Sequence, residues 1–332
     1  MEIVYQWQID VIAALQVVGV LEWPMKAFTF LGSEEFFLLL LPLAYWCVDM
    51  GFGARLAVLL IGANGLSGLC KLALHGPRPY WISERVRPLV FEYSYGLPSN
   101  HALVATTVWG FMATRLRRAG WRIVLVAIIL VISFSRLFLA MHFVTDVLLG
   151  WALGALLLVL YCRCERPVVA WLGRQGLGAQ VAVACGVSLA YLALALVVHA
   201  SVAGVVDPEG WGAARAAAAL ALGADPASDP RNLEDPISGA AMFFALGTGL
   251  ALAARYVRFD ARGPWHKRVL RYAAGFVVLL VLWRGLKLLT GEESQPLEIG
   301  LALRYVRYLL MALWMVLGAP WVFLRTRLAD AA

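Results

Sequence analysis

Nine stretches of this chain are apolar for long enough to cross, or nearly cross, a lipid bilayer. They fall at about 35–49, 54–74, 98–115, 121–140, 143–162, 177–200, 237–257, 269–290 and 299–323. A spanning helix needs ~20 apolar residues, and inside lipid each segment must satisfy its own backbone polar groups. The expected fold is therefore all-α: a polytopic transmembrane helical bundle. Charged residues make up only 15% of the 332, against about a quarter in a soluble domain. The stretch 5–31 reads either as a broken further span or as amphipathic helices lying in the interface. Gln16 interrupts its apolar run, and Glu22, Pro24 and Lys26 follow.

Net charge is +7, but its placement matters more than its total. Arg115, Arg117, Arg118 and Arg122 share one short loop, Arg163, Arg166 and Arg174 a second, and Arg255 to Arg271 a third, with Arg325 and Arg327 at the C-terminus. Threading the nine spans puts all four groups on one face, which the positive-inside rule makes cytoplasmic. The acidic loops 202–236 and 291–298 fall opposite. No nucleic-acid partner is expected from such a pattern. The five cysteines, Cys47, Cys70, Cys162, Cys164 and Cys185, lack the neighbouring ligands a metal site needs and read as free thiols. Met1-Glu2 opens without a basic region, so no cleavable signal is expected.

Three short segments place chemistry at the ends of apolar runs, all on the acidic, extracytoplasmic face. The first runs from Lys71 to Arg78-Pro79. Arg78 stands between prolines, which hold it in an extended conformation where its planar fork can grip phosphate oxygens. The second is Pro98-Ser99-Asn100-His101. Ser99 is a natural N-cap, the backbone N–H groups behind it form an anion site, and His101 can protonate a leaving oxygen. The third is Ser135-Arg136, then His142 and Asp146. Spacing i, i+4 predicts that His142 and Asp146 share a helix face, the carboxylate fixing one imidazole nitrogen and leaving the other free to attack phosphorus. Charge and histidine are costly beside a bilayer, so together the segments point to histidine-mediated cleavage of a phosphate ester.

The three segments resemble the signature of the type-2 phosphatidic acid phosphatase (lipid phosphate phosphatase) superfamily: Lys-x6-Arg-Pro, Pro-Ser-Gly-His and Ser-Arg-x5-His-x3-Asp. The resemblance covers about 33–165. It implies a six-helix core and metal-free hydrolysis without a cofactor. It makes His142 the nucleophile that forms a phosphohistidine, Asp146 its orienting partner and His101 the leaving-group acid. Lys71, Arg78, Ser99, Asn100 and Arg136 would line the phosphate site. Asn100 departs from the pattern, standing where the family has glycine; it narrows the pocket or adds a donor.

The organisation expected is an N-terminal segment 1–32, a catalytic core 33–166 and an added bundle of about four spans at 167–332. The expected partner is a lipid phosphate or pyrophosphate together with membrane lipids, and the expected place a bacterial inner (plasma) membrane. A phosphotransferase shares the same phosphoenzyme. A lipid-binding or lipid-translocating protein with a vestigial site is the non-enzymatic alternative, and intact His142, Asp146 and His101 weigh against it. The superfamily's haloperoxidases are soluble, unlike this chain. Arg284, Lys287, Arg304 and Arg307 lie on the face that the positive-inside rule depletes. Either they snorkel and pair with Glu292, Glu293 and Glu298, or they contact an anionic head group.

Overall fold

The computed structural model describes residues 2–332, with side chains from Val4 onward, and is helical throughout. Among the described residues the sole extended pairing is an isolated bridge between Phe259 and Ala331. The helices are α1 Glu2–Gln16, α2 Glu22–Phe30, α3 Glu34–Cys47, α4 Met50–Leu74, α5 Pro79–Ile82, α6 Asn100–Arg115, α7 Ala119–Phe138 and α8 Val144–Gly173. There follow α9 Leu177–Ser201, α10 Trp211–Ala221, α11 Glu234–Tyr256, α12 Trp265–Leu280, α13 Leu286–Thr290, α14 Leu297–Leu313 and α15 Ala319–Arg325. Two π-helical turns, Val281–Gly285 and Trp314–Gly318, carry α12 into α13 and α14 into α15.

A helix stands at each of the nine expected positions, but seven helical stretches among the described residues are long and apolar enough to cross a membrane. The two that fall short are α3, with 14 residues, and α6, with 16. Capping cuts both. Asp49 accepts from Phe52 N at 2.6 Å, so its carboxylate starts α4 and closes α3 early. Ser99 caps the start of α6, and Leu116 leaves the helix with extended backbone. In the N-terminal stretch, Val4–Gln16 and Gly19–Phe30 meet at 85°, so they count as an eighth span only if this bent pair is one. The chain is a multi-pass membrane protein.

The chain divides into two compact units, each discontinuous in sequence. The first gathers the chain up to Phe36, Leu66–Tyr161 and Leu196–Asn232. One of its apolar clusters joins Ile9 and Ile12 of α1, Tyr80 and Trp81 of α5, and Phe138 to Met141, with Ala218 of α10. In this unit α6 and α8 approach at a glycine seam. A Cβ on Gly150 would lie 2.7 Å from Ser99 O, and one on Gly154 would lie 2.6 Å from Leu103 O. Small residues four apart let helix backbones touch, and here they press the start of α8 onto the start of α6.

The second unit gathers Phe37–Gly65, Cys162–Ala195 and Leu233–Ala332. Its π-turn at Trp314–Gly318 has a visible use. Met315 O accepts from Trp46 Nε1 at 2.8 Å and Val316 O from Tyr45 OH at 3.1 Å, so carbonyls released from the helical ladder receive two buried aromatic donors. Trp314 Nε1 donates to Gly275 O at 2.9 Å. All five cysteines are free thiols.

The seam sets a test. Replacing Gly150 or Gly154 with alanine should destabilise the protein by about 1–3 kcal/mol through overpacking against backbone. Gly173, with nothing within 4 Å of a Cβ, should tolerate the same change. Thermal melting of the detergent-solubilised protein measures it, and equal melting of all three variants would remove the seam as a structural determinant.

Candidate active site

α4 ends at Lys71-Leu-Ala-Leu, and the chain leaves it through His75, whose φ of 48° is the left-handed conformation. Gly76 and Pro77 follow, and Arg78 stands extended (φ −94°, ψ 154°) as the cap of α5. This corner turns the Arg78 side chain inward, fully buried. Its Nε donates to Ser94 O at 2.7 Å and Nη1 to Met141 O at 3.0 Å. Nη2 reaches Glu92 Oε2 and Ser94 Oγ, both at 3.1 Å. Lys71 Nζ donates to the same Ser94 hydroxyl at 2.8 Å.

α7 delivers the next cation. Arg136 lies in its last turn, 1% exposed, with Nη1 donating to Thr29 Oγ1 at 2.8 Å and Nη2 pairing with Glu92 Oε1 at 2.5 Å. Beyond it the chain reverses through Ala140, whose φ of 56° is rare for a residue with a Cβ. Met141 N and His142 N both donate to Arg136 O, at 3.0 and 3.3 Å. That reversal holds His142 beside the arginine.

His142 does not share a helix face with Asp146. α8 begins at Val144, and His142 sits in the loop ahead of it. Asp146 instead caps the helix start: Phe143 N donates to Asp146 Oδ2 at 2.9 Å, the side chain-to-backbone half of a capping box. His142 Nδ1 lies 3.5 Å from the same oxygen, longer than a formed hydrogen bond. Both imidazole nitrogens are buried without a hydrogen-bond partner. Burial, then the charges of Arg78, Arg136 and Lys71, pushes the His142 pKa well below its ordinary value. The ring is neutral at neutral pH, with a lone pair available.

α6 supplies the opposite wall. Ser99 is its N-cap, accepting from Ala102 N at 3.5 Å, and Ser99 N donates to Asp146 O at 3.0 Å. Asn100 and His101 occupy the first turn. Gly32, in the turn after α2, lets His101 sit close; a Cβ there would lie 2.9 Å from His101 Cδ2. Lys71, Arg78, Ser99, Asn100, His101, Arg136, His142 and Asp146 thus all belong to the first unit.

Glu92 is the residue that sequence reasoning missed. One carboxylate oxygen goes to Arg78 and the other to Arg136. Burial alone raises its pKa, but Arg136 and Arg78, then Lys71 and His101, hold the carboxyl well below the usual range. A carboxylate bridging two guanidinium groups stands where the oxygens of a phosphoryl group would be held. The available signal was charge balance, since cations this buried require an anion. Two glutamines also went unread. Gln8 Oε1 accepts from Thr145 N at 3.0 Å, at the start of α8. Gln16, which seemed only to interrupt an apolar run, donates to Arg87 O and Phe138 O, both at 2.9 Å.

The four remaining candidates lie in the second unit, and three of them are paired with carboxylates. Arg307 forms a two-pronged pair with Glu292, at 2.7 and 2.8 Å. Arg304 pairs with Glu234 at 2.8 Å, and Lys287 with Glu293 at 2.5 Å. Arg284 lies over the Trp283 ring, 4.5 Å from its centroid. No group of three His, Cys, Asp or Glu side chains able to hold a metal ion occurs among the described residues.

Residues 52–169 match the family model described as PAP2 superfamily. Residues 237–331 match the model described as PAP2 superfamily phosphatase, transmembrane extension. The chain is 34% identical over 158 residues to phosphatidylglycerophosphatase B of Bacillus subtilis (strain 168), covering 41% of this chain and 71% of that protein. It is 32% identical over 138 residues to sphingosine-1-phosphate phosphatase 2 of Homo sapiens, covering 39% of this chain and 34% of that one. The chain spans only about a third of the length of the sphingosine-1-phosphate phosphatases it matches. A crystal structure of a transmembrane PAP2 type phosphatidylglycerolphosphate phosphatase from Bacillus subtilis aligns at TM-score 0.44 and 26% identity, over 51% of this chain and 89% of that one.

Glu92→Gln should lower the melting temperature, costing up to about 3 kcal/mol as two buried guanidinium groups lose their counter-charge. Vanadate should then raise the melting temperature of the variant more than that of the parent, by refilling the vacated position. Equal shifts in both would show that Glu92 and an oxyanion do not compete.

Proposed function

Because the chain belongs to the PAP2 superfamily, we propose that it is a membrane phosphatase that cleaves a lipid-linked phosphate or diphosphate through a phosphohistidine. The observation that carries this reading is the buried His142 imidazole, with neither nitrogen hydrogen-bonded, set beside a pocket whose arginines already hold an anion. The matched relatives are named for lipid phosphates, sphingosine 1-phosphate and phosphatidylglycerophosphate.

Substrate phosphate displaces Glu92 and is held by Arg78, Arg136 and Lys71, with the N-terminal amides of α6 adding donors. Asp146 holds the Nδ1–H of His142, a contact that tightens from 3.5 Å on loading. Nε2 attacks phosphorus, the bond from phosphorus to the lipid oxygen breaks, and His101, which takes up a proton as the phosphate dianion offsets the surrounding cations, gives it to that oxygen. Water then attacks the phosphohistidine and passes a proton to His101. The N–P bond breaks and inorganic phosphate leaves. The cationic side chains supply the charge stabilisation, so the reaction runs without a cofactor. Arg304 and Arg307 are left out of this pocket because carboxylates occupy them.

The charge asymmetry of the loops supports a site on the extracytoplasmic face of a bacterial plasma membrane. Single cysteines at position 225 and position 262, on a background lacking the native five, separate the two orientations. An impermeant reagent applied to intact cells should label the first and spare the second; the reverse would invert the topology.

Purified protein in detergent should release inorganic phosphate from lipid phosphates with no acceptor present, in EDTA, and vanadate should inhibit. Strict dependence on an added hydroxyl acceptor would make it a transferase instead, and restoration of EDTA-treated enzyme by magnesium would overturn the metal-free reading. His142→Ala should abolish turnover and the phosphoenzyme together. His101→Ala should slow alkyl phosphates by ~100-fold or more while sparing aryl phosphates, whose leaving oxygen needs little acid assistance. Equal losses on both substrates would remove His101 from that role.

A further inference from the structure

The segment between α9 and α11 is fastened to the active-site loops within the first unit. α10 shares the apolar cluster of α5 through Ala218, and the Trp211 ring lies 6.0 Å from that of Trp81. Tyr95 OH donates to both oxygens of Asp207, at 2.9 and 3.0 Å, and Arg231 Nη2 pairs with the same carboxylate at 2.7 Å. The segment therefore packs directly on the residues beside the phosphate pocket. Trp81 follows Arg78 by three positions, and Tyr95 O accepts from Arg78 Nη2 at 3.3 Å.

One cation here is unlike the others. The Arg215 guanidinium lies over the Trp81 ring, 5.8 Å from its centroid. It forms no ion pair or hydrogen bond with any described residue, and its Nε is shut off from solvent. The Nε atoms of Arg136 and Arg271 also lack partners, but the terminal nitrogens of the buried arginines elsewhere are served. Arg271 directs both terminal nitrogens to carbonyls of residues 260–262, and Arg307 grips Glu292. Two more buried nitrogens lack partners around the same aromatic pair. Arg231 Nε is one, its guanidinium 6.0 Å from the Tyr95 ring centroid; His75 Nε2 is the other, its ring 4.9 Å from that of Tyr95. With Asp207 balancing Arg231, the cluster keeps the charge of Arg215 uncompensated. Stacking on tryptophan offsets only part of what a half-buried guanidinium loses from water.

We propose that Arg215, supported by Arg231, anchors a second anion subsite beside the phosphate pocket, and that it takes the inner phosphoryl group of a diphosphate head group. This rests on the phosphatase reading above and narrows its substrate class. His142 would attack the terminal phosphorus and the bridging P–O bond would break. The bridging oxygen would leave with its electron pair on the lipid monophosphate, and Arg215 would neutralise the charge gained there.

The test uses the full-length protein in detergent and two substrates of one prenyl chain, a monophosphate and a diphosphate. Arg215→Gln should lower kcat/KM for the diphosphate by about tenfold, the worth of one charge-assisted contact, and leave the monophosphate within about twofold. Arg215→Lys should recover part of the loss. Binding gives a readout independent of turnover. Methylenediphosphonate should raise the melting temperature of the parent more than methylphosphonate does, and the excess should vanish in Arg215→Gln. Equal shifts from the two phosphonates in the parent, or an excess that survives in Arg215→Gln, would overturn the subsite. So would a monophosphate cleaved while the diphosphate is ignored. Failure to release phosphate from either lipid would instead strike the phosphatase reading, and the phosphonate comparison would still decide whether the subsite exists.

Discussion

Arg78 and Arg136 cannot share a buried pocket, with Lys71 bonded to the same Ser94, unless an anion lies between them. Glu92 meets that need, one oxygen to each arginine. Much of the surrounding architecture answers to this one constraint. Thr29 on α2 fixes the second terminal nitrogen of Arg136, Ser94 ties Lys71 to Arg78, and the carbonyls of Ser94 and Met141 complete Arg78. These contacts draw α2, the end of α4, the loop before α6 and the turn before α8 to one point. The pocket proposed for the phosphate thus doubles as the electrostatic centre of the unit that contains it.

The residues of the three motifs were legible because their chemistry is rare in apolar sequence and their order is fixed. What joins them was not. Glu92 sits in an irregular stretch with no periodicity, Gln16 reads as an interruption in a hydrophobic run, and Gln8 carries no signal of its own. Their importance lies in contacts across 71 to 137 residues of chain, which spacing cannot reveal. The i, i+4 separation of His142 and Asp146 misled for a related reason. It fits a helix face, but α8 starts only at Val144, so His142 lies ahead of the helix while Asp146 caps its first turn through Phe143 N. Hydropathy placed a helix at each of the nine expected stretches and left 5–31 open; Ser99 caps α6 as its residue type suggested, but Asp49 closing α3 early went unseen.

The two units are assembled from alternating pieces of chain, and family likeness falls on part of each. Residues 170–236 lie outside both matched regions. Within that gap Asp207, Trp211, Arg215 and Arg231 pack on Trp81 and Tyr95, next to the motif residues. A connecting segment that joins two recognisable parts has become a wall of the first one.

The glycine seam determines which parts of the pocket are free to move. At Gly150 and Gly154 helix α8 rests on backbone carbonyls of α6 and on the Cβ atoms of Ala102 and Thr106, none of which can swing aside. His101 and Asp146 therefore ride on a rigid pair. Glu92 is carried on the irregular loop before α6, where the side chains of Arg78, Arg136 and Tyr80 hold it. In the proposed reaction the part that must yield to substrate is that loop, because Glu92 has to leave its two arginines, while the helix pair stays in place.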